Sequence, residues 1–116
     1  MQLEAKKYLF DVQQAVLRLI EFTQGKSLDD YRQDVLLRSA VERQFEIIGE
    51  ALNQLSKIDL HAADRITDYR RIIAFRNILI HGYAEIDDRI VWGVVEGQLS
   101  QLKRDVNALL TDSPDD

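Results

Sequence analysis

The stretch Leu37-Arg-Ser-Ala-Val41-Glu-Arg-Gln-Phe45-Glu-Ile-Ile48-Gly-Glu-Ala-Leu52-Asn-Gln-Leu55 decides the fold. Its apolar residues at 37, 41, 45, 48, 52 and 55 recur at spacings of four and three, the period of one helix face, and no proline interrupts them. Just upstream, Ser27 offers an N-cap oxygen with Asp30 three residues on, so one long helix is expected from there through the stripe. Further upstream, Leu9, Val12, Val16 and Leu19 repeat the pattern in a first helix over about residues 3–24, with Gly25 placed as a left-handed cap would be. Downstream the pattern lapses between Lys57 and Asp68. Thr67 or Asp68 then offers a cap for a third helix from Tyr69 to about Ile80, which Gly82 would end. A last helix is expected from Asp87 or Asp88, whose carboxylates suit the positive end of its dipole. It would bury Val91, Val94, Val95, Leu99, Leu102, Val106 and Leu109.

Four such helices with short connections predict an all-α protein, an antiparallel four-helix bundle. The 116 residues suit one domain, expected over 1–111, with 112–116 as a flexible polar tail. One proline and five glycines, with 46% hydrophobic and 30% charged residues, fit a helical chain. The absence of cysteine excludes disulfides, a thiol nucleophile and a thiolate zinc site. With only His61 and His81 no metal-ligand spacing arises, and no glycine-rich phosphate loop occurs, so neither metal nor cofactor is expected. There is no basic leader followed by an apolar run and no apolar stretch near the ~20 residues that span a bilayer, which predicts a soluble cytoplasmic protein without membrane contact. The net charge of −5 argues against coating nucleic acid by bulk electrostatics, so any nucleic-acid contact must be local to a cleft.

The third helix holds the candidate residues for chemistry, Arg76 and His81, which on spacing alone read equally as a structural ion pair and a satisfied histidine. On a wheel, Ile72, Phe75 and Leu79 share one face, Ile73 and Ile80 flank it, and Ile78 lies on the other flank, so the helix is apolar nearly all round. Such a helix is buried on more than one side, and a second subunit is one source of that burial. Arg76 falls between Ile72 and Ile80, where a guanidinium needs a partner or a task. Asn77, His81 and Arg70 form a separate polar sector, and Gly82 lets Tyr83 be presented beside them. Histidine exchanges a proton near neutral pH, arginine holds phosphate and neutralises developing charge, and RNA supplies its own nucleophile in the 2′-hydroxyl. A two-fold dimer would bring two copies of the one motif histidine into a single cleft.

Glu42, Glu46 and Glu50 form an i, i+4 stripe on the second helix, either a solvated face or the source of a carboxylate, Glu46 or Glu50, that orients Arg76. Gly49 inside that helix suggests close approach of another helix. Trp92 reads as core, and His61 as a surface residue. Arg65, Arg70 and Arg71 either guide RNA or pair with Asp64 and Asp68.

Arg76-Asn-x-x-x-His81-x-Tyr83 resembles the Arg-x(4)-His-x-Tyr signature of HepT-like proteins in the HEPN superfamily. The segment Val41 to Ala51, and Ile86-Asp with Val91-Trp92, resemble that family's surroundings of the motif, so the likeness covers nearly the whole chain. The resemblance implies a HEPN-like bundle dimerising through the motif helix, and a metal-independent ribonuclease toxin with Arg76 and His81 as catalytic residues and Asn77, Glu46 and Glu50 as accessories. It also implies a type VII-like pairing with a minimal nucleotidyltransferase antitoxin of the MntA type, which transfers AMP to Tyr83. An alternative reading from the same residues is a non-catalytic helical module that binds, and is modified by, such a nucleotidyltransferase.

Overall fold

A computed structural model describes residues 1–82 and 86–112. Within these residues the chain forms helices α1 (Leu3–Thr23), α2 (Leu28–Gln33), α3 (Val35–Ile58), α4 (Leu60–Asp64), α5 (Tyr69–His81) and α6 (Asp88–Asp112). The four long helices are those the apolar stripes predict, and the protein is all-α. Two short helices are additions.

Local chemistry explains both. Ser27 and Asp30 form the expected capping box, the Ser27 hydroxyl accepting from the Asp30 N–H and the Asp30 carboxylate from the Ser27 N–H. The helix that this box starts does not run on into the long stripe. Asp34 leaves the helical region at φ −118° and ψ 98°, and its carboxylate accepts from the Leu37 N–H, so α3 begins afresh with its own cap. Asp59 does the same after α3, accepting from the Ala62 N–H to start α4. Asp68 occupies the N-cap position of α5, but its side chain makes no cap. Its backbone is left-handed at φ 59°, which a short polar side chain tolerates better than most. Gly25 is left-handed at φ 73°, as expected.

The α3 helix is the central member, packed against α1 on one side and α5 on the other, while α6 lies on α1 and α2. The α1 helix runs antiparallel to both α3 and α6. Met1 and Leu3 sit beside Ile58 and Asp59 at one end of the α1–α3 pair, and Met1 lies near Leu109 and Asp112 of α6. The stripe residues Leu37, Val41, Phe45, Ile48, Leu52 and Leu55 are all buried, together with Leu9, Val12, Val16 and Leu19 of α1. Leu99, Leu102, Val106 and Leu109 of α6 join them. Trp92 is core, its ring 5.4 Å from that of buried Tyr31, and Phe75 meets Phe45 edge-on at 5.2 Å, which fixes α5 against α3. Val94 departs from expectation. It is only half-buried, because α6 rotates it toward a groove shared with α5. No helix among the described residues is long and apolar enough to cross a membrane.

Candidate functional site

Gly49 controls how the motif helix meets α3. A Cβ there would stand 2.2 Å from the Cβ of Arg76 and 2.6 Å from its Cγ, so the base of the arginine side chain lies directly on the glycine. The expected close approach of a second helix at Gly49 is therefore contact with Arg76 itself. Held against α3, the guanidinium reaches Glu50. Its Nη2 donates to Glu50 Oε2 at 2.7 Å, and its Nη1 donates to Asn77 Oδ1 at 2.8 Å. The arginine side chain is 22% exposed, against 48% for that of Glu50, and its Nε is buried with no hydrogen-bond partner among the described residues. At that exposure the ion pair is partly desolvated, and two charge-assisted or dipolar bonds fix the plane of the guanidinium.

Of the two candidate partner carboxylates, Glu50 takes Arg76. Glu46 takes Arg43 on its own helix, at 3.4 Å. Both pairs line one cleft between α1, α3 and α5, with a volume of about 250 Å³ and walls that include Tyr8, Asp11, Ile47 and Ile80. His81 is in the last turn of α5 and exposed. Asn77 and His81 share a flank of α5, but Asn77 turns its carboxamide oxygen to Arg76 rather than to the imidazole. Gly82 closes the helix by donating its N–H to Ile78 O at 2.7 Å, and a Cβ at this position would meet that same oxygen at 2.7 Å. Tyr83, the expected modification site, lies outside the described residues.

The other arginines behave as surface groups. Arg71 is 3.9 Å from Asp68, Arg70 lies over the Tyr69 ring, and Arg65 pairs at 3.4 Å with Asp112 instead of Asp64. His61 is exposed. No group of three or more His, Cys, Asp or Glu among the described residues is arranged to hold a metal ion. Tyr8, Asp11 and Arg43 are the cleft residues that sequence reasoning missed. Two of them come from α1, and nothing local in that helix marks them as neighbours of the motif.

An all-α bundle that presses an arginine of one helix onto a glycine notch of the next, five residues ahead of an exposed histidine, defines a helical protein with a cleft built around its motif helix. Residues 12–109 match the family model described as ribonuclease HepT-like, and the chain belongs to that family, within the HEPN superfamily. It is similar to a Methanocaldococcus jannaschii protein provisionally described as an RNase, 30% identical with 89% of this chain and 94% of the relative covered. A second provisionally described RNase, from Caldanaerobacter subterraneus, is 31% identical over 90% of this chain and 93% of its own length. A Thermococcus cleftensis protein described as a probable ribonuclease HepT is 33% identical over 84% and 88%. No solved structure matches the chain.

Proposed function

We propose that this protein is a metal-independent endoribonuclease acting as a two-fold dimer, the toxin of a pair whose antitoxin is a minimal nucleotidyltransferase of the MntA type. The observation that carries the reading is the oriented, partly desolvated Arg76, pinned by Glu50 and Asn77 in a chain that belongs to the HepT-like family. A 2′-hydroxyl of the RNA attacks the adjacent phosphorus, a P–O bond forms to it, and the bond to the 5′-oxygen of the next nucleotide breaks. His81 exchanges the proton: one imidazole takes it from the 2′-hydroxyl, and the partner copy's imidazolium gives one to the departing 5′-oxygen. Arg76 neutralises the charge that builds on the phosphoryl oxygens. The product ends are a 2′,3′-cyclic phosphate and a 5′-hydroxyl.

Silencing is the part of this reading that the family resemblance supports. Tyr83 accepts AMP from ATP through its phenolic oxygen, with pyrophosphate leaving, and the adduct brings bulk and negative charge to where the substrate phosphate sits. Purified protein, free of the antitoxin, is expected to cut RNA in excess EDTA. His81→Ala and Arg76→Ala should each lower the rate by about 10²- to 10⁴-fold with unchanged helical circular dichroism. Intact-mass measurement after incubation with the nucleotidyltransferase and ATP should show one AMP per chain, absent in Tyr83→Phe. Full activity in His81→Ala would instead make the motif a docking and modification site on a non-catalytic module.

A further inference from the structure

The cleft beside Arg76 has features that phosphate binding does not need. Its walls carry an aromatic ring, Tyr8 from α1, and three carboxylates, Asp11, Glu46 and Glu50. Glu46 is bonded to Arg43 and Glu50 to Arg76, whereas Asp11 is engaged by none of the described residues. A volume of about 250 Å³ is below the ~300 Å³ from which drug-sized sites begin, and suits one flat ring system. Tyr8 is half-buried against the core, so its ring is already held. The Lys7 ammonium lies 5.7 Å from the centroid of that ring. Single-stranded RNA is recognised by stacking unpaired bases on aromatic side chains and by hydrogen bonds to their Watson–Crick edges.

From this arrangement we propose that the α1–α3–α5 cleft is a nucleobase pocket for the nucleotide flanking the scissile phosphate. Tyr8 stacks the base and the Asp11 carboxylate reads its edge, with guanine the preferred occupant. The proposal rests on the ribonuclease reading of the Arg76 site. Guanine presents two adjacent donors, N1–H and N2–H, which match the two oxygens of one carboxylate. Uracil presents a single N–H between two carbonyl oxygens that a carboxylate repels. Arg76 belongs both to this lining and to the phosphate site, so base and phosphate of one strand are held by neighbouring groups. Arg43, at the cleft edge, is exposed and stays available to the next phosphate if Glu46 releases it.

The test uses the full chain and two readouts. Cleavage sites are mapped on single-stranded RNA of randomised sequence, and binding of short 2′-deoxy-blocked RNAs with G, A, C or U at the flanking position is followed by fluorescence anisotropy. Wild type is expected to favour guanine at one position beside the cut. Asp11→Asn, whose carboxamide offers one donor and one acceptor, should lose that preference. Tyr8→Ala should weaken binding about ten-fold for every base and raise KM more than it lowers kcat, while Tyr8→Phe, which keeps the ring, restores binding. A wild type without base preference, or Tyr8→Ala and Asp11→Asn variants with wild-type preference and affinity, would overturn the pocket. These outcomes are separable from failure of the ribonuclease reading, which would show as RNA cleavage that His81→Ala leaves intact.

Discussion

Gly49 decides whether Arg76 can take its place. In a free helix, replacing glycine with alanine gains up to ~1 kcal/mol of propensity. Here the added methyl would stand 2.2 Å from Arg76 Cβ, an atom one bond from the α5 backbone and unable to swing aside. The clash wins, because relief requires α5 to move off α3, and overpacking of this kind costs about 1–3 kcal/mol. Gly49→Ala is therefore expected to lower Tm and also to reduce RNA cleavage, since the displaced guanidinium loses Glu50. Thermal melts and cleavage rates measured together check it, and an unchanged or raised Tm would show that the helices do not touch there. The contact was legible in the sequence because a glycine deep in a helix needs a reason and Arg76 needed a partner. Which glutamate would answer was not legible. Glu46 and Glu50 share a stripe, and only the register between α3 and α5 sends one to Arg43 and the other to Arg76. Tyr8 and Asp11 were illegible for a similar reason: their cleft exists only once α1 has packed against α3.

At the scale of elements, apolar periodicity was sufficient to find the four long helices and insufficient to find where one of them breaks. The capping box at Ser27 and the stripe from Leu37 read as one helix, yet Asp34 competes for the backbone with its own side chain and separates α2 from α3. The break lets α2 contact α6 and buries Tyr31 against Trp92. Its consequence is an electrostatic cost. The Tyr31 hydroxyl is buried with no hydrogen-bond partner among the described residues, and burial, with Glu42 and Asp88 near it, raises its pKa well beyond the ordinary tyrosine range. Burial likewise pushes the Glu42 carboxyl above its usual value of 4.5, helped by repulsion from Glu46 and Asp88 and opposed by Arg38. A carboxyl whose folded pKa is raised destabilises the fold once pH climbs through the window between its unfolded and folded values. Glu42→Gln should thus be more stable than wild type near neutral pH. The advantage should shrink as pH falls through the raised folded value and vanish well below the ordinary 4.5, where wild-type Glu42 is neutral in both states. Tm measured across this range for both proteins gives the answer, and parallel curves would mean that Glu42 is not strained.

At the scale of the whole molecule, the open side of the bundle faces the question of the second subunit. The α5 helix packs on α3 and α6 on α1 and α2, and between them runs a groove lined by Ile72, Phe75, Ile78, Ile90 and Val94. Ile78 is 56% exposed and Ile90 58%, and they stand on the same helix as His81 and at the start of the next. This is the outer face of the helix that the sequence shows to be apolar nearly all round. A second copy placed there by a two-fold axis would cover both isoleucines at once, one of them on the helix that carries His81. Ile78→Glu separates this arrangement from a monomer's scattered apolar surface. In a monomer, an exposed isoleucine replaced by glutamate changes stability by no more than about 0.5 kcal/mol and has no effect on mass in solution. Across a two-fold interface the same change introduces two carboxylates, one per copy, each desolvated without a partner. The expected result is a dimer for wild type and a monomer for Ile78→Glu by light scattering, with equal circular dichroism. RNA cleavage should fall with the loss of dimer, and it should recover if raising the protein concentration restores the dimer. An Ile78→Glu protein that remains dimeric would move the interface elsewhere, and a monomer that cuts at the wild-type rate would show that one copy of Arg76 and His81 suffices.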